Sequence, residues 1–342
     1  MVAKNVAVAA KSARASHISI AFAVMVAVLV LGPLPPFSLY PVDLMRALCL
    51  ALFACAFNLL IGYGGLLSFG HAMFFGWAAY VTAHLAKVGT VSLPYWAGAW
   101  HWVAIPLPPL TPELAILVGA AFAGLLGVIA GSLAIRRQGI YFAMITLALA
   151  QMMYFFALQA KFTGGEDGIQ AVPRGRLFGV VDLADNMAMY VFVAAVFLAA
   201  FVLVYRIVHS PFGEVLKAIR ENEPRAISLG YKTERYKLVA FVLSATLAGL
   251  AGATKAIAIG LASLSDVQWQ MSGEVVLMTL VGGLGTIFGP VVGAAIIVAM
   301  QTQLVAFGQW VTIIQGIIFV ACVLMFRRGI VGELAALLRI RL

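Results

Sequence analysis

Two charged side chains sit where charge is costly. Lys255 lies in the apolar run "KLVAFVLSATLAGLAGATKAIAIG" and Glu274 in "QMSGEVVLMTLVGG". A charge at a bilayer centre costs about 2.5–3.5 kcal/mol on insertion scales, so such groups pair with each other, line a watery path or snorkel to the headgroups. In an alternating topology with the N-terminus inside, both fall near the outer end of their spans. An ion pair between them or a shared vestibule would suit that placement; snorkelling would suit Lys255 and also Arg46. Glu274 is expected to face the interior.

Two glycine-rich breaks are the next candidates. "GYGGLLSFGH" (62–71) and "GGLGTIFGP" (282–290) each hold Gly-Gly-Leu, a hydroxyl residue (Ser68, Thr286) and a later glycine. Glycine-interrupted segments paired between the two halves of a transporter mark a substrate route. Unwound backbone survives at membrane depth only where protein or a water-filled cavity covers it. The candidate path residues are therefore Asn58, Tyr63, Gly64, Gly65, Ser68 and His71 at the first break. Gly282, Gly283 and Gly285 are their counterparts at the second, and Glu274, near the outer end of the preceding span, is added to the path. The competing reading is a pair of tight turns that let helices pack closely, with His71 a hydrogen-bonded structural residue.

Other chemistry finds no support. The five histidines, His17, His71, His84, His101 and His209, show no HExxH or nucleophile spacing. Cys49, Cys55 and Cys322 lie singly in apolar runs and give no disulfide framework or CxxC site. No GxxxxGK[ST] is present to cradle phosphates. The residues therefore predict no metal and no cofactor bound by this chain.

The elements that must hold these residues are lipid-embedded helices. Of 342 residues 63% are hydrophobic and 10% charged, with a mean hydropathy of +1.04. Soluble domains are about 45–50% apolar and about 25% charged. A span needs about 20 mostly apolar residues. Ten stretches qualify: 18–34, 43–62, 66–86, 112–135, 139–160, 187–208, 237–259, 271–287, 289–307 and 309–326. The predicted fold class is all-α, a polytopic transmembrane bundle of about ten spans. The first stretch, after Lys4, Lys11 and Arg14, reads as an uncleaved membrane helix and not a signal peptide.

With the N-terminus inside, sixteen of the 22 Lys and Arg fall on the inner side, including Arg136, Arg137, Arg206, Arg327 and Arg328. Only Lys87, Lys161, Arg174 and Arg176 fall outside. This bias fits the positive-inside rule. The net charge of +9 thus reports topology and not nucleic-acid binding. The expected organisation is a cytoplasmic segment 1–17, a membrane domain 18–326 with a cytoplasmic loop at 209–236, and a cytoplasmic tail 327–342. Residues 88–111, rich in Trp and Pro, read as an interfacial loop. Residues 161–186 read as a solvated outer loop and a docking surface. Gly127/Gly131, Ser244/Ala248/Gly252 and Gly289/Gly293 read as helix-packing contacts.

The stretch "SPFGEVLKAIRENEPRAISLGYKTERYK" (210–237) is the polar exception. Ser210 and Pro211 suit the N-cap and first turn of a helix that puts Val215, Leu216 and Ile219 on one face. Pro224 interrupts it and starts a short helix, "PRAISLG", ended by Gly230, with Thr233 as a cap for the next span. So short a helix is not stable alone. Its apolar residues Ala226, Ile227 and Leu229 need a cover. A groove in another protein would supply it; so would the chain's own bundle.

The same stretch resembles the cytoplasmic coupling loop of ABC-importer permeases, and in particular the branched-chain amino-acid permease family of the LivM type. "NLLIGYGGLLSFGHAMFFG" (58–76), "RRQGIYFAMITLALAQ" (136–151), "FTGGEDGI" (162–169) and "GGLGTIFGPVVGA" (282–294) add to the resemblance, which runs from about 45 to 330. The general Glu-Ala-Ala…Gly pattern is not kept: Pro224, Arg225 and Ala226 stand there, with Glu223 one place early. The resemblance implies a permease subunit, not an enzyme, that imports Leu, Ile, Val or a related small solute into the cytoplasm. Glu221, Glu223, Arg225, Ala226, Ile227, Leu229 and Gly230 would contact cytosolic ATP-binding subunits, which use the ATP and Mg. A sister permease subunit, a periplasmic solute-binding protein and the bacterial inner membrane are the other implied partners, with both termini cytoplasmic. Urea, short amides and aromatic acids remain alternative solutes. An ion-coupled secondary transporter is the alternative class; it would suit Glu274 but gives no role to the short helix.

Overall fold

The computed structural model describes residues 19–33, 40–88, 90–96, 100–106, 109–304, 308, 310–325 and 329–337. The segment 1–17 therefore lies outside the described residues, as do 327–328 (Arg327 and Arg328) and 338–342 of the tail 327–342. The rest is a polytopic helical bundle. Its helices are α1 (Ser19–Leu31), α2 (Pro41–Asn58), α3 (His71–Lys87), α4 (Pro112–Ala134), α5 (Ile140–Gln159), α6 (Asn186–Val208), α7 (Pro211–Glu221), α8 (Glu223–Ser228), α9 (Thr233–Ile259), α10 (Trp269–Gly282), α11 (Gly289–Leu304), α12 (Trp310–Met325) and α13 (Gly329–Leu337).

Each of the ten expected apolar stretches contains a helix, but they are not equal. Among the described residues five are long and apolar enough to cross a membrane: α2 with its π-helical extension (Pro41–Tyr63), α4, α5, α6 and α9. The expected span 271–287 is corrected. Its helix, α10, stops at Gly282 after 14 residues, because Gly283 takes φ +123°, a backbone no side-chain-bearing residue follows comfortably. The span 66–86 also starts late, at His71.

Helix α9 is the axle of the bundle. It packs against α2, α3 and α4, and its small residues make that possible. A Cβ on Gly252 would run into the Phe75 carbonyl oxygen of α3, and one on Gly249 into Ala123 of α4. Gly127 of α4 meets Ala245 in the same way, and Gly293 of α11 lies against the Met278 carbonyl of α10. The expected packing stripes are thus backbone-close contacts. Phe53, Phe57, Phe74, Phe75 and Phe241 fill the space beside them and are fully buried.

The loops at the end far from α7 and α8 are more ordered than expected. Residues 90–96 (β1) pair antiparallel with 100–106 (β2), Trp96 opposite Trp100, where an irregular interfacial loop was expected. Ile169–Gln170 (β3) pairs with Leu261–Ala262 (β6). Arg176–Leu177 (β4) pairs with Val181–Asp182 (β5). Arg174 pins this loop through the carbonyl of Ala258 at 2.9 Å and the Asn186 side chain at 2.8 Å. The β4–β5 tip leaves Phe178 and Val180 exposed.

Candidate functional site

The two glycine breaks meet, and α7 meets them. Helix α2 widens into a π-turn over Leu59–Tyr63, a distortion that needs a reason when it occurs inside an apolar helix. Past it the backbone is irregular through residues 65–68 and re-enters the protein to start α3 at His71. Leu66, Ser68 and Gly70 are buried there. Thr146 of α5 accepts from the Phe69 amide at 3.2 Å, and Ser68 Oγ accepts from Gly70 N at 3.2 Å. Protein therefore covers and satisfies the unwound backbone, as lipid could not.

Asn58 is the tie between the breaks. Its Nδ2 donates to the Thr286 carbonyl at 2.8 Å, and its Oδ1 accepts from the Gly285 amide at 3.0 Å. The side chain is buried. Gly62 has no room for a Cβ, which would strike Asn58 Oδ1 and come 2.8 Å from Gly285 N. Thr286 in turn closes its own break, accepting from Gly289 N at 3.1 Å and donating to the Gly283 carbonyl at 2.8 Å.

Arg220 on α7 is the residue the sequence reading passed over. Its guanidinium donates to the Gly62 carbonyl. Its stem lies so close to Gly65, a left-handed residue at φ +69°, that a Cβ there would come 3.0 Å from Arg220 Cγ. A cavity of about 440 Å³ opens beside it, lined by Tyr63, His209, Lys217, Arg220, Glu221 and Gly285 among others. Tyr63, Gly62 and Gly285 were reached by the glycine pattern. Arg220 and Lys217 were visible only as charges on a polar helix, because the carbonyl that Arg220 binds is 158 residues away.

The polar stretch folds much as its residues suggest. Ser210 caps α7 through Gly213 N at 3.4 Å, and Leu216 and Ile219 are buried while Val215 is partly so. The short helix starts one residue earlier than expected. Asn222 is its N-cap, accepting from Arg225 N at 3.1 Å, which leaves Glu223 at the first position and Pro224 at the second, where no amide is needed. Gly230, at φ +88°, ends it, and Tyr231 N closes back on the Ala226 carbonyl at 3.1 Å. Thr233 does not cap α9; Lys232 occupies that place and no side-chain bond is made. Glu223 is held by Lys237 at 2.6 Å. Ala226 packs inward, but Ile227 is 56% exposed and Leu229 69%. Glu221 and Arg225 are also exposed. The chain's own bundle therefore covers only one of the three apolar residues.

His71 is not brought to this cavity. It is fully buried, with Nε2 2.9 Å from Ser244 Oγ, and the rings of Phe57, Phe74 and Phe241 meet it edge-on. Ser244 lies eleven residues into α9, about 16 Å along its axis.

The ion pair offered as one alternative for Lys255 and Glu274 does not form; each has its own arrangement. Lys255 forms its ion pair with Asp266 of the turn between α9 and α10, and both side chains are largely buried. It does not snorkel, because Asp266 and the Phe75 ring, 5.5 Å from its Nζ, hold it inside. Glu274 instead accepts from Gln301 Nε2 at 3.3 Å, and Gln301 Oε1 accepts from Arg46 at 3.0 Å. Glu274 is half-buried. Among the described residues no group of His, Cys, Asp and Glu has metal-holding geometry.

Comparison with known proteins agrees with this architecture. The family model described as the branched-chain amino acid transport system / permease component matches residues 44–325. The high-affinity branched-chain amino acid transport system permease proteins LivM of Salmonella typhimurium (strain LT2) and Escherichia coli (strain K12) are each 28% identical over 283 residues, 76% of this chain and 62% of theirs. The ribose import permease protein RbsC of Bacillus subtilis (strain 168) is 28% identical over 197 residues, 53% of this chain and 58% of the relative. The chain thus spans about six tenths of the length of the curated relatives it matches. No solved structure matches it.

Proposed function

Starting from a chain that belongs to the family of branched-chain amino acid transport system permease components, we propose that it is the membrane-spanning subunit of an ATP-driven importer and not an enzyme. Its solute is a branched-chain amino acid (Leu, Ile or Val) or a related small molecule. The observation that carries the reading is the placement of α7 and α8. One side of the pair bonds the glycine breaks through Arg220; the other offers Ile227 and Leu229 to a partner.

The force path follows from those contacts. Separate cytosolic ATP-binding subunits hold Mg and ATP and grip α8 at Ile227, Leu229, Glu221 and Arg225. Their closure displaces α7. Arg220 carries that displacement to the Gly62 carbonyl, and Asn58 shares it with Gly285 and Thr286. Both breaks then shift together and open or close the inner end of the path. Packed helices slide as units, so a break in the helix is where such a change is absorbed. The α7–α8 end faces the cytoplasm of a bacterial inner membrane, with both chain termini on that side. A sister permease subunit completes the path, and a periplasmic solute-binding protein docks at the opposite end, where Phe178 and Val180 are exposed.

The test is the double variant Ile227→Asp/Leu229→Asp in the full chain, co-expressed with its ATP-binding subunits. Uptake of labelled L-leucine should stop and those subunits should no longer co-purify, while the chain stays in the membrane. Uptake and co-purification at wild-type levels would remove the reading.

A further inference from the structure

We infer that Arg46 and Glu274 form a binding site for the zwitterionic head of an α-amino acid, with the Gln301 carboxamide as its internal stand-in. This rests on the permease reading above and assigns a solute contact within it.

The three residues come from three helices, α2, α11 and α10. One amide spans them: Gln301 Oε1 accepts from Arg46 at 3.0 Å and Gln301 Nε2 donates to Glu274 at 3.3 Å. An amino acid head carries the same polarity. Its carboxylate accepts as the amide oxygen does, and its ammonium donates as the amide nitrogen does. The head is one bond longer than the amide, a difference that the long, rotatable Arg46 and Glu274 side chains absorb. Exchange would replace two bonds in which only one partner is charged by two between opposite full charges, which adds Coulomb attraction at the same two contacts. A planar guanidinium is the group suited to a carboxylate.

The surroundings permit entry. Arg46 is exposed, and Gln301 and Glu274 are only partly buried. The site lies away from α7 and α8, at the end where a solute would arrive. The neighbouring Lys255 is committed to Asp266 and does not compete for Glu274. A carbohydrate or a mono-anion would satisfy one of the two charges and strand the other.

Saturation-transfer NMR on the full chain in nanodiscs tests the site, with L-leucine as the probe. 4-Methylpentanoate, which lacks the ammonium, and 3-methylbutylamine, which lacks the carboxylate, are the competitors. Wild type should prefer L-leucine over 4-methylpentanoate at least tenfold, and Glu274→Gln should abolish that preference. Arg46→Gln should abolish the preference over 3-methylbutylamine. Gln301→Ala removes the stand-in but neither charge, and should tighten L-leucine binding severalfold; it decides the matter should a charge variant fail to fold. No L-leucine binding by wild type, unchanged preferences in the charge variants, or unchanged affinity in Gln301→Ala would each overturn the site. Whole-cell L-leucine uptake is read in parallel. Loss of the site with uptake retained in all variants leaves the permease reading standing, whereas absent uptake by wild type removes the reading itself.

Discussion

Removing the Asn58 side chain should loosen the second glycine break without touching its sequence. Asn58→Ala deletes two hydrogen bonds, at 2.8 Å and 3.0 Å, each made to backbone of residues 285–286. A made hydrogen bond is worth about 0.5–1.5 kcal/mol net, and a buried backbone group left unpaired costs about 1–3 kcal/mol. The cavity beside the site admits water and offsets part of that cost. The expected loss is therefore about 2–4 kcal/mol, which at 1.4 kcal/mol per tenfold is one and a half to three decades in the local opening equilibrium. Hydrogen exchange of the peptide across residues 283–289 reads it directly, since the Gly285 amide is itself one of the two partners. Asn58→Asp separates the bonds: the acceptor for Gly285 N is kept, and a carboxylate oxygen is set against the Thr286 carbonyl. Exchange should be at least as fast as in Asn58→Ala at Ile287, whose amide shares a peptide group with the Thr286 carbonyl, and slower at Gly285. Wild-type exchange in Asn58→Ala would refute the idea that this side chain joins the breaks.

The buried ion pair should be costly to halve and cheap to replace. Lys255→Met or Asp266→Asn alone leaves an uncompensated buried charge and should cost about 3–5 kcal/mol. The double variant Lys255→Met/Asp266→Leu should recover most of it, as read by thermal unfolding in detergent; equal loss in single and double variants would contradict the pairing. Gly252→Ala places a methyl group against the Phe75 carbonyl of a rigid neighbouring helix. It should destabilise by at least about 1–3 kcal/mol, whereas alanine at the open position Gly273 should be tolerated, a contrast the same assay reads.

The helices were legible because lipid demands them. An apolar run of span length has few other solutions, and Ser210-Pro211 and Gly230 mark their turns through backbone chemistry that acts within a few residues. The kinship of the breaks at 62–71 and 282–290 was legible as composition, and Gly62 and Gly285 do come together. What joins them was not. Arg220, Asn58 and Gln301 each bond across more than 150 residues or between helices whose neighbours the sequence does not name. The Lys255 partner was not among the alternatives of an ion pair with Glu274, a shared vestibule or snorkelling, for a related reason. Equal depth in two helices pointed to Glu274, but Asp266, eleven residues on, is folded back by the tight 3₁₀ turn Leu264–Asp266 and gets there first. The stop of α10 at Gly282 falls at the break read at 282–290, but the hydropathy count carried the span on to 287 because it is blind to a positive φ at Gly283. The hairpin of β1 and β2 was obscured by the prolines and tryptophans that suggested an interfacial loop.

The most direct test bears on the mechanical link between α7 and the glycine breaks. Arg220→Met keeps an unbranched stem that can pack on Gly65 but lacks the guanidinium and cannot donate to the Gly62 carbonyl. The variant is measured in the complete transporter with its ATP-binding subunits, as solute moved per ATP hydrolysed. Expected is an assembled complex that still hydrolyses ATP while transport per ATP falls at least tenfold. A ratio equal to that of the wild type would contradict the coupling.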